Sequence, residues 1–380
     1  NRMNPSQYKR RYQPDYRKVF LQPGIWLMAL LVGCVSISHQ NATPLSAEVR
    51  QLRLVKRIQT EEQPKQVCFH PDRPEMYVTN LGGSKSVGMD AFEPGSLQIF
   101  SLTDFQLLHR EPARTGVECL LTAPDTLLYS DMFRDEIVYF KLSTRQVTQR
   151  VPVKEETFQN YPGTRYRFMP KIMILSPDEK LLVVSHWLWG LSIIDYPSAR
   201  LIRSVPKFCE HPRGMLFSDN NTLHVMCYGV PDGEGQMVRL RVNADGSTEV
   251  ISRNVTGGSP RHIVASDQPG IAYVSNLNSD RIYEYRLSDG GIQRELITGG
   301  QPNTIVLDRG GRYLYASLRG RDELAVIDTR EWKVTERIHT GKYPTGLDVS
   351  PDGRWLAITN FNEASMDLYE IIRGPSSESP

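Results

Sequence analysis

The 380 residues, 39% of them hydrophobic, are enough to bury a large core, which excludes an intrinsically disordered chain and a miniprotein. Residues 1–33 hold six of the 45 basic residues and one of the 43 acidic residues, so the remainder carries 39 basic and 42 acidic side chains, a net charge of −3. A body with this charge lacks the broad positive field on which nonspecific nucleic-acid binding depends. We therefore expect no nucleic-acid partner.

The N-terminal segment has the pattern of an export signal. A basic stretch at 9–18 precedes an apolar run at 25–32, and that run is too short for a membrane-spanning helix. The run ends in the sequence Leu31-Val32-Gly33-Cys34. This ending resembles the lipobox of bacterial lipoprotein signals.

The resemblance implies a signal peptide over 1–33, a lipidated Cys34 that anchors the protein to a membrane, and a flexible tether over 34–48. It also implies a place in the bacterial cell envelope, facing the periplasm or the exterior. Val35 and Ser36 lack an acidic retention signal, which favours the outer membrane. An ordinary secretory signal, in which Cys34 is incidental, is the alternative.

Seven similar units follow the tether. Six of them open at a proline, and Val117 stands in the place of proline in the second unit. The six prolines are Pro64, Pro170, Pro212, Pro260, Pro302 and Pro344. The last five lie 42, 48, 42 and 42 residues apart, and in all six units a step of 16 residues leads to the end of a second apolar run. Short apolar runs separated by turn residues predict a four-stranded meander in each unit.

A four-stranded unit repeated at this period is typical of β-propellers. We predict an all-β fold, a seven-bladed β-propeller of four-stranded antiparallel blades over 49–371. The last unit has three apolar runs, so a strand at about 51–58 is expected to complete it and to close the ring. Closure removes the exposed sheet edges that promote aggregation. Residues 372–380 are expected to form a disordered tail.

Short segments inside the units resemble the YVTN-repeat β-propellers, which belong to the lactonase-like propeller superfamily. They are the runs MYVTN at 76–80, AYVSN at 272–276, AITN at 357–360, AVID at 325–328 and SPDG at 350–353. The resemblance covers nearly all of the chain after the tether. It implies the propeller fold and leaves the activity open, because propellers carry many functions.

Two rings of side chains are predicted at one face of the propeller. The first ring, one residue after each unit opens, is Lys65, Glu118, Lys171, Arg213, Arg261, Asn303 and Thr345. The second ring, at the end of each second run, is Asn80, Asp131, His186, Tyr228, Asn276, Leu318 and Asn360. Four cations in the first ring indicate a mouth that attracts carboxylate or phosphate. The alternative is the polar lining of any solvated channel.

From these rings we predict a ligand-binding set. Its members are Lys65, Lys171, Arg213, Arg261, His186, Tyr228, Asn276, Asn303 and Asn360. We expect no metal site and no cofactor, because the sequence contains no metal-binding spacing of Cys and His. A monomer is expected.

One local motif points to catalysis. The run Ser259-Pro260-Arg261-His262 resembles the GPRH segment of propeller lactonases related to 6-phosphogluconolactonase. The resemblance implies that Arg261 binds an anionic substrate and that His262 transfers a proton during attack of water on a lactone. That family continues with Asn-Glu where this chain has Asn276 and Leu277, so a carboxylate is missing at that place.

Three functions are therefore open. The leading hypothesis is a non-catalytic, lipid-anchored propeller that binds a protein or a small anionic ligand. The enzymatic alternative is a lactonase-like hydrolase, which His262→Ala would inactivate. The third is a redox propeller with haem d1 or a quinone-type cofactor, which the visible absorption of the purified protein would reveal.

The cysteines and the aromatic residues give weaker signals. Cys68, Cys119 and Cys227 lie in apolar runs and are interpreted as free buried thiols, while a Cys209–Cys227 disulfide stays open. Trp187 and Trp189 are expected to pack against a neighbouring blade, and the alternative is an exposed patch for stacking and protein contact. The aromatic residues of one long insertion could form a lid or a partner surface: Phe158, Tyr161, Tyr166 and Phe168.

Overall fold

The computed structural model describes residues 49–83, 94–155, 168–187, 189–229 and 234–373. The predicted signal peptide, Cys34 and the tether lie outside these residues, as do 374–380 at the other end. Three of the four aromatic residues of the long insertion also lie outside them, namely Phe158, Tyr161 and Tyr166.

The described residues form 28 strands in seven antiparallel sheets of four. The strands of the first three sheets follow one another along the chain. Blade 1 contains β2 (Pro64–Phe69), β3 (Glu75–Asn80), β4 (Gly95–Ser101) and β5 (Leu107–Ala113). Blade 2 contains β6 (Gly116–Ala123), β7 (Thr126–Asp131), β8 (Glu136–Lys141) and β9 (Gln146–Pro152). Blade 3 contains β10 (Pro170–Leu175), β11 (Leu181–His186), β12 (Trp189–Asp195) and β13 (Arg200–Glu210).

The next three sheets keep the same order. Blade 4 contains β14 (Pro212–Phe217), β15 (Thr222–Cys227), β16 (Glu234–Val242) and β17 (Thr248–Gly258). Blade 5 contains β18 (Pro260–Ala265), β19 (Ile271–Asn276), β20 (Arg281–Arg286) and β21 (Gly291–Ile297). Blade 6 contains β22 (Pro302–Leu307), β23 (Tyr313–Leu318), β24 (Glu323–Asp328) and β25 (Lys333–His339).

The seventh blade joins the two ends of the chain. It contains β26 (Pro344–Val349), β27 (Trp355–Asn360), β28 (Ser365–Arg373) and, outermost, β1 (Val49–Gln59). The first strand of each blade packs against the first strand of the next, and β26 packs against β2, so the ring is closed. The predicted fold and its closure are confirmed. The closing strand β1 is longer than predicted, because it pairs with β28 from Val49 opposite Arg373 to Gln59 opposite Ser365.

The core lies between adjacent blades and is built from the second and third strands. Tyrosines of the second strands fill it with at most 1% of their surface exposed, namely Tyr77, Tyr129, Tyr273 and Tyr315. A hydroxyl one or two residues further along the same strands ties one blade to the next. Ser275 Oγ, for example, accepts the His262 amide at 3.1 Å and donates to the Asn303 carbonyl at 2.8 Å. These bonds hold the first strands around the central channel.

Two disulfides also connect adjacent blades. Cys68 in β2 pairs with Cys119 in β6, with a Cα–Cα distance of 6.5 Å. Cys209 in β13 pairs with Cys227 in β15, with a Cα–Cα distance of 5.9 Å. The interpretation of Cys68, Cys119 and Cys227 as free thiols is wrong, because blade packing brings together cysteines that are distant in sequence.

Candidate functional site

The first strands begin at one end of the central channel, and their pairing fixes which side chains line it. Each opening proline lies opposite the last residue of the second strand, as in Pro64 with Asn80. In blade 2 the residue paired with the end of the second strand is Gly116, which lies opposite Asp131. The residue after it, Val117, therefore takes the first-ring position that the sequence analysis gave to Glu118. The corrected first ring, called the cationic layer below, is Lys65, Val117, Lys171, Arg213, Arg261, Asn303 and Thr345.

A second layer lies one residue deeper along the same strands. It is marked by amide groups that donate to the hydroxyls of the second strands, as Glu118 does to Ser130 at 3.0 Å and Thr304 does to Ser317 at 3.0 Å. This inner layer is Gln66, Glu118, Ile172, Gly214, His262, Thr304 and Gly346. Residues of both layers, among them Lys65, Arg261, Glu118 and His262, line one cavity of about 30 Å³. The structure thus places Glu118 in the same layer as His262.

Four cations converge in the cationic layer. Burial, followed by the charges of the other cations, holds the pKa of Lys65 and of Lys171 well below the usual lysine value. Burial and the charge of Arg261 lower the pKa of Arg213 well below its usual value, and burial also lowers the pKa of Arg261. Each of these shifts means that the site disfavours its own positive charge. An anion would relieve that unfavourable energy.

The cations lack carboxylate partners of their own. Among the described residues, no carboxylate oxygen lies within 4.0 Å of the charged nitrogens of Lys65, Lys171, Arg213 or Arg261. Arg261 Nε donates to Asn303 Oδ1 at 2.9 Å, and Arg213 donates to the carbonyl of Trp187 at 3.0 Å. These uncharged acceptors orient the guanidinium groups and leave their charge unneutralised.

The mouth of the channel is formed by the residue that follows each second strand. Its amide donates to the carbonyl that precedes the opening proline, as Trp187 does to Met169 at 2.8 Å and Phe361 does to Tyr343 at 3.1 Å. Blade 4 is shifted by one residue, because Pro212 pairs with Cys227. The mouth ring is therefore Leu81, Met132, Trp187, Tyr228, Leu277, Arg319 and Phe361.

Aromatic side chains of this mouth stack on the cations below them. Lys171 Nζ lies 3.7 Å from the centre of the Trp187 ring. The Arg213 guanidinium lies 5.3 Å from the ring centres of both Trp187 and Tyr228. Lys65 Nζ lies 5.1 Å from the Phe361 ring. Cation–π contacts of this kind hold a charge in place without neutralising it.

Two residues of the mouth ring differ from what the sequence predicted. Trp187 is more exposed than expected, and Arg319 was not among the predicted ligand-binding residues. The Trp187 side chain is 38% exposed, so it does not pack into a neighbouring blade as expected. Arg319 stacks on Tyr343 at 4.9 Å, and its charge lowers the pKa of Lys65 and of Arg261. Its position, one residue after the second strand like Trp187 and Phe361, was the signal in the sequence.

Three residues of the predicted ligand-binding set lie elsewhere. His186, Asn276 and Asn360 are fully buried within their blades, because the last residue of the second strand turns away from the channel. His186 Nε2 contacts Ser192 Oγ at 2.8 Å, and burial lowers its pKa to about 3. The prediction that these residues face the mouth is wrong. The ring of Phe168, the fourth aromatic residue of the long insertion, packs on His186 at 4.9 Å and is itself buried.

The inner layer carries two groups capable of proton transfer. Burial raises the pKa of Glu118 to about 7, although the Gln66 amide and the charges of Lys65 and Arg261 oppose that rise. Burial and the charge of Arg261 lower the pKa of His262 to about 4, so its imidazole is neutral at pH 7. The Nδ1 atom of His262 is buried and has no hydrogen-bond partner in the described part of the chain. Leu277 is 1% exposed, so Glu118 is the carboxyl that shares the cavity with Arg261 and His262.

Within the described ranges, no group of three or more His, Cys, Asp or Glu side chains could hold a metal ion. The same residues include no helix of the length and hydropathy that crossing a membrane requires.

Comparison with known proteins agrees with this architecture. Residues 233–374, which include Arg261 and His262, match the family described as "Lactonase, 7-bladed beta-propeller". The chain is 28% identical to Antigen Lp49 of Leptospira interrogans over 335 residues, which is 83% of this chain and 69% of the antigen. It is 25% identical to the 6-phosphogluconolactonase of Bacillus subtilis over 130 residues, which is 30% of this chain and 37% of that enzyme.

A solved structure shares the fold. The hydrazine synthase of Kuenenia stuttgartiensis superposes with a TM-score of 0.65 at 15% identity, covering 83% of this chain and 96% of that one. The closed ring and the repeat show the seven-bladed β-propeller fold, and over residues 233–374 the chain resembles the lactonase-like propellers of this fold.

Proposed function

We propose that the propeller binds a small anionic ligand at the mouth of its central channel. The observation that carries the proposal is the convergence of the four cations of the cationic layer, joined by Arg319, at a mouth lined with aromatic side chains. Polar lining alone does not account for this arrangement, because burying several like charges together is unfavourable unless a ligand uses them.

Unsatisfied donors support the same conclusion. The Nε atoms of Arg213 and Arg319 are buried and find no acceptor among the residues that the structure describes. A buried donor without an acceptor costs about 1–3 kcal/mol. An anion at about 4 Å from one cation gains about 4 kcal/mol at an effective dielectric constant of 20. A ligand with two negative charges would therefore fit the site better than a neutral one.

The test is calorimetric titration of the protein with sulfate and with citrate at low ionic strength. We expect binding that weakens with salt, and we expect Lys65→Met to weaken it at least tenfold. Lys141→Met is the matched control, because Lys141 is exposed at the end of β8. Equal affinity of both variants for the anions, or no binding by the wild type, would refute the proposal.

A second candidate function is hydrolysis of a lactone. The cavity brings Arg261, His262 and Glu118 together, and a carboxyl with a pKa of about 7 suits a general base at neutral pH. Arg261 would hold an anionic group of the substrate, and His262 would orient the attacked carbonyl. Turnover of sugar lactones that His262→Ala abolishes would establish the enzyme. Anion binding without turnover would establish the binding module.

The cell envelope is proposed as the location of the protein, with Cys34 as the lipid anchor. Disulfides such as Cys209–Cys227 are rare in the cytosol and typical of exported proteins. Incorporation of radiolabelled palmitate that Cys34→Ser abolishes would support the anchor. Equal labelling of both forms would refute it.

A further inference from the structure

Glu118 is the acidic group that faces the four cations from the inner layer. It projects from β6 into the cavity, where the neighbouring strand β2 supplies Lys65 and Gln66. The Gln66 side chain lines the same cavity and opposes the rise in the pKa of the Glu118 carboxyl. From the opposite wall, β18 supplies the charge of Arg261, which acts on the same carboxyl. Glu118 thus acts as an internal counter-ion for these cations.

The other charged groups near β6 either share this cavity or point elsewhere. Lys171 on β10 lies in the cationic layer and is influenced by the charge of Glu118. Asp131 on β7 accepts the amides of Arg114 and Thr115, each at 2.9 Å, and so turns away from the channel.

The remaining neighbours of Glu118 carry no competing charge. Glu75 on β3 lies at the far end of its strand and pairs with Arg145. His262 on β18 is neutral at pH 7. Within the described residues, Glu118 therefore shares the cations with no second carboxyl.

A bound anion changes the charge balance at this carboxyl. When the site is empty, an ionised Glu118 offsets part of the positive charge. When an anion occupies the cationic layer, two negative groups share the same cations, and each disfavours the ionised form of the other. Burial has already raised the pKa of Glu118 to about 7, so a modest further rise protonates it at neutral pH.

We infer that anion binding in this channel is coupled to proton uptake, with Glu118 taking one proton from solvent as the anion enters and returning it as the anion leaves. The inference rests on the proposed function and specifies how it is regulated. It makes the site a proton-dependent anion receptor, which fills as the medium becomes acidic and empties as it becomes alkaline. No bond other than the O–H bond of the carboxyl forms or breaks.

The lysines predict the same direction of pH dependence, so the experiment must separate the two sources. Lys65 and Lys171 have lowered pKa values, and an anion would help each of them to hold its proton. Glu118→Gln removes the carboxyl proton and leaves both lysines. Glu118→Thr is a second variant that fits this position, because Thr304 occupies the equivalent place in blade 6.

The test is calorimetric titration with sulfate, which does not itself titrate near neutral pH. Titration at pH 7.5, in buffers of different ionisation enthalpy, gives the number of protons taken up on binding. Because a carboxyl with a pKa of about 7 is already partly protonated at pH 7.5, we expect the wild type to take up roughly half a proton more than Glu118→Gln or Glu118→Thr. We expect wild-type affinity to fall about tenfold from pH 6.5 to pH 8, and the variants to lose most of that dependence. Glu249→Gln, on the exposed outer strand β17, is the control and should behave like the wild type.

The outcomes separate the inference from the proposed function. Sulfate binding with equal proton uptake by the wild type and both variants would overturn the role of Glu118 and leave the anion site standing. Absence of sulfate binding to all forms from pH 6 to pH 8 would overturn both. If Glu118→Gln fails to fold, Glu118→Thr and the wild type still provide the comparison.

Discussion

Neutralising Lys171 should weaken anion binding and at the same time stabilise the fold. Lys171 is 3% exposed, lies against the Trp187 ring and is influenced by the charges of Arg213, Arg261 and Lys65. Lys171→Met keeps the length of the side chain and its contact with the ring, and it removes the charge. Function and stability should therefore change in opposite directions, which a merely structural lysine would not produce.

The magnitude follows from the surrounding charges. At roughly 8 Å and an effective dielectric constant of about 20, one pair of unit charges interacts by about 2 kcal/mol. Three cations oppose Lys171, and Glu118 offsets one of them, which leaves about 4 kcal/mol of repulsion. Loss of the cation–π contact subtracts about 1–2 kcal/mol. We expect a net stabilisation of about 2 kcal/mol and a rise in Tm of a few degrees.

The assay combines thermal unfolding with sulfate titration for the wild type and two variants. Lys171→Met should melt higher and bind sulfate at least tenfold more weakly. Lys180→Met is the matched control in the same blade, because Lys180 is exposed in the turn before β11. It should change neither property. A Lys171→Met protein that is less stable and binds sulfate normally would refute the account of the cationic layer.

Two other predictions concern the joints between blades. Burial raises the pKa of Asp348 to about 7 in the folded state, above the usual value of 3.8, so its contribution to stability is complete below pH 4 and is lost as the pH rises through 7. Asp348→Asn keeps an acceptor for the Phe69 amide and should flatten the decline of the free energy of unfolding with pH. Urea unfolding measures this decline, which is at most about 4 kcal/mol in the wild type. An unchanged pH profile would contradict the argument. Replacing Cys209 and Cys227 by serine should cost about 3 kcal/mol and lower the Tm in calorimetry, whereas an unchanged Tm would show that the disulfide adds nothing.

The fold could be predicted because its signal is periodic. Proline opens a first strand in six of the seven blades, and the missing fourth strand of the last blade indicated that the ends of the chain meet. Closure follows from the same count, because a three-stranded blade leaves one edge for β1 to cover. The cations at Lys65, Lys171, Arg213 and Arg261 followed from their fixed distance to each proline.

The misplacement of Glu118 arose where the repeat changes by one residue. Blade 2 has no proline, so Gly116 rather than Val117 marks its start, and Glu118 lies one layer deeper than predicted. In blade 4, Pro212 pairs with Cys227, which places Tyr228 at the mouth. A shift of one residue turns a side chain to the other face of a strand, and only the hydrogen-bonded pairing reveals it.

The Cys68–Cys119 disulfide escaped prediction for a different reason. Its two cysteines are 51 residues apart, and nothing local indicates their proximity. They lie on the first strands of adjacent blades, which the repeat alone would have placed side by side.

Bromide is the most direct probe of the central claim, because it is a small anion that anomalous diffraction can locate. Crystals of the protein soaked in bromide at low ionic strength and mildly acidic pH should show a strong anomalous peak in the channel between Lys65, Lys171 and Arg261. Bromide confined to the outer surface, with none in the channel, would contradict the account.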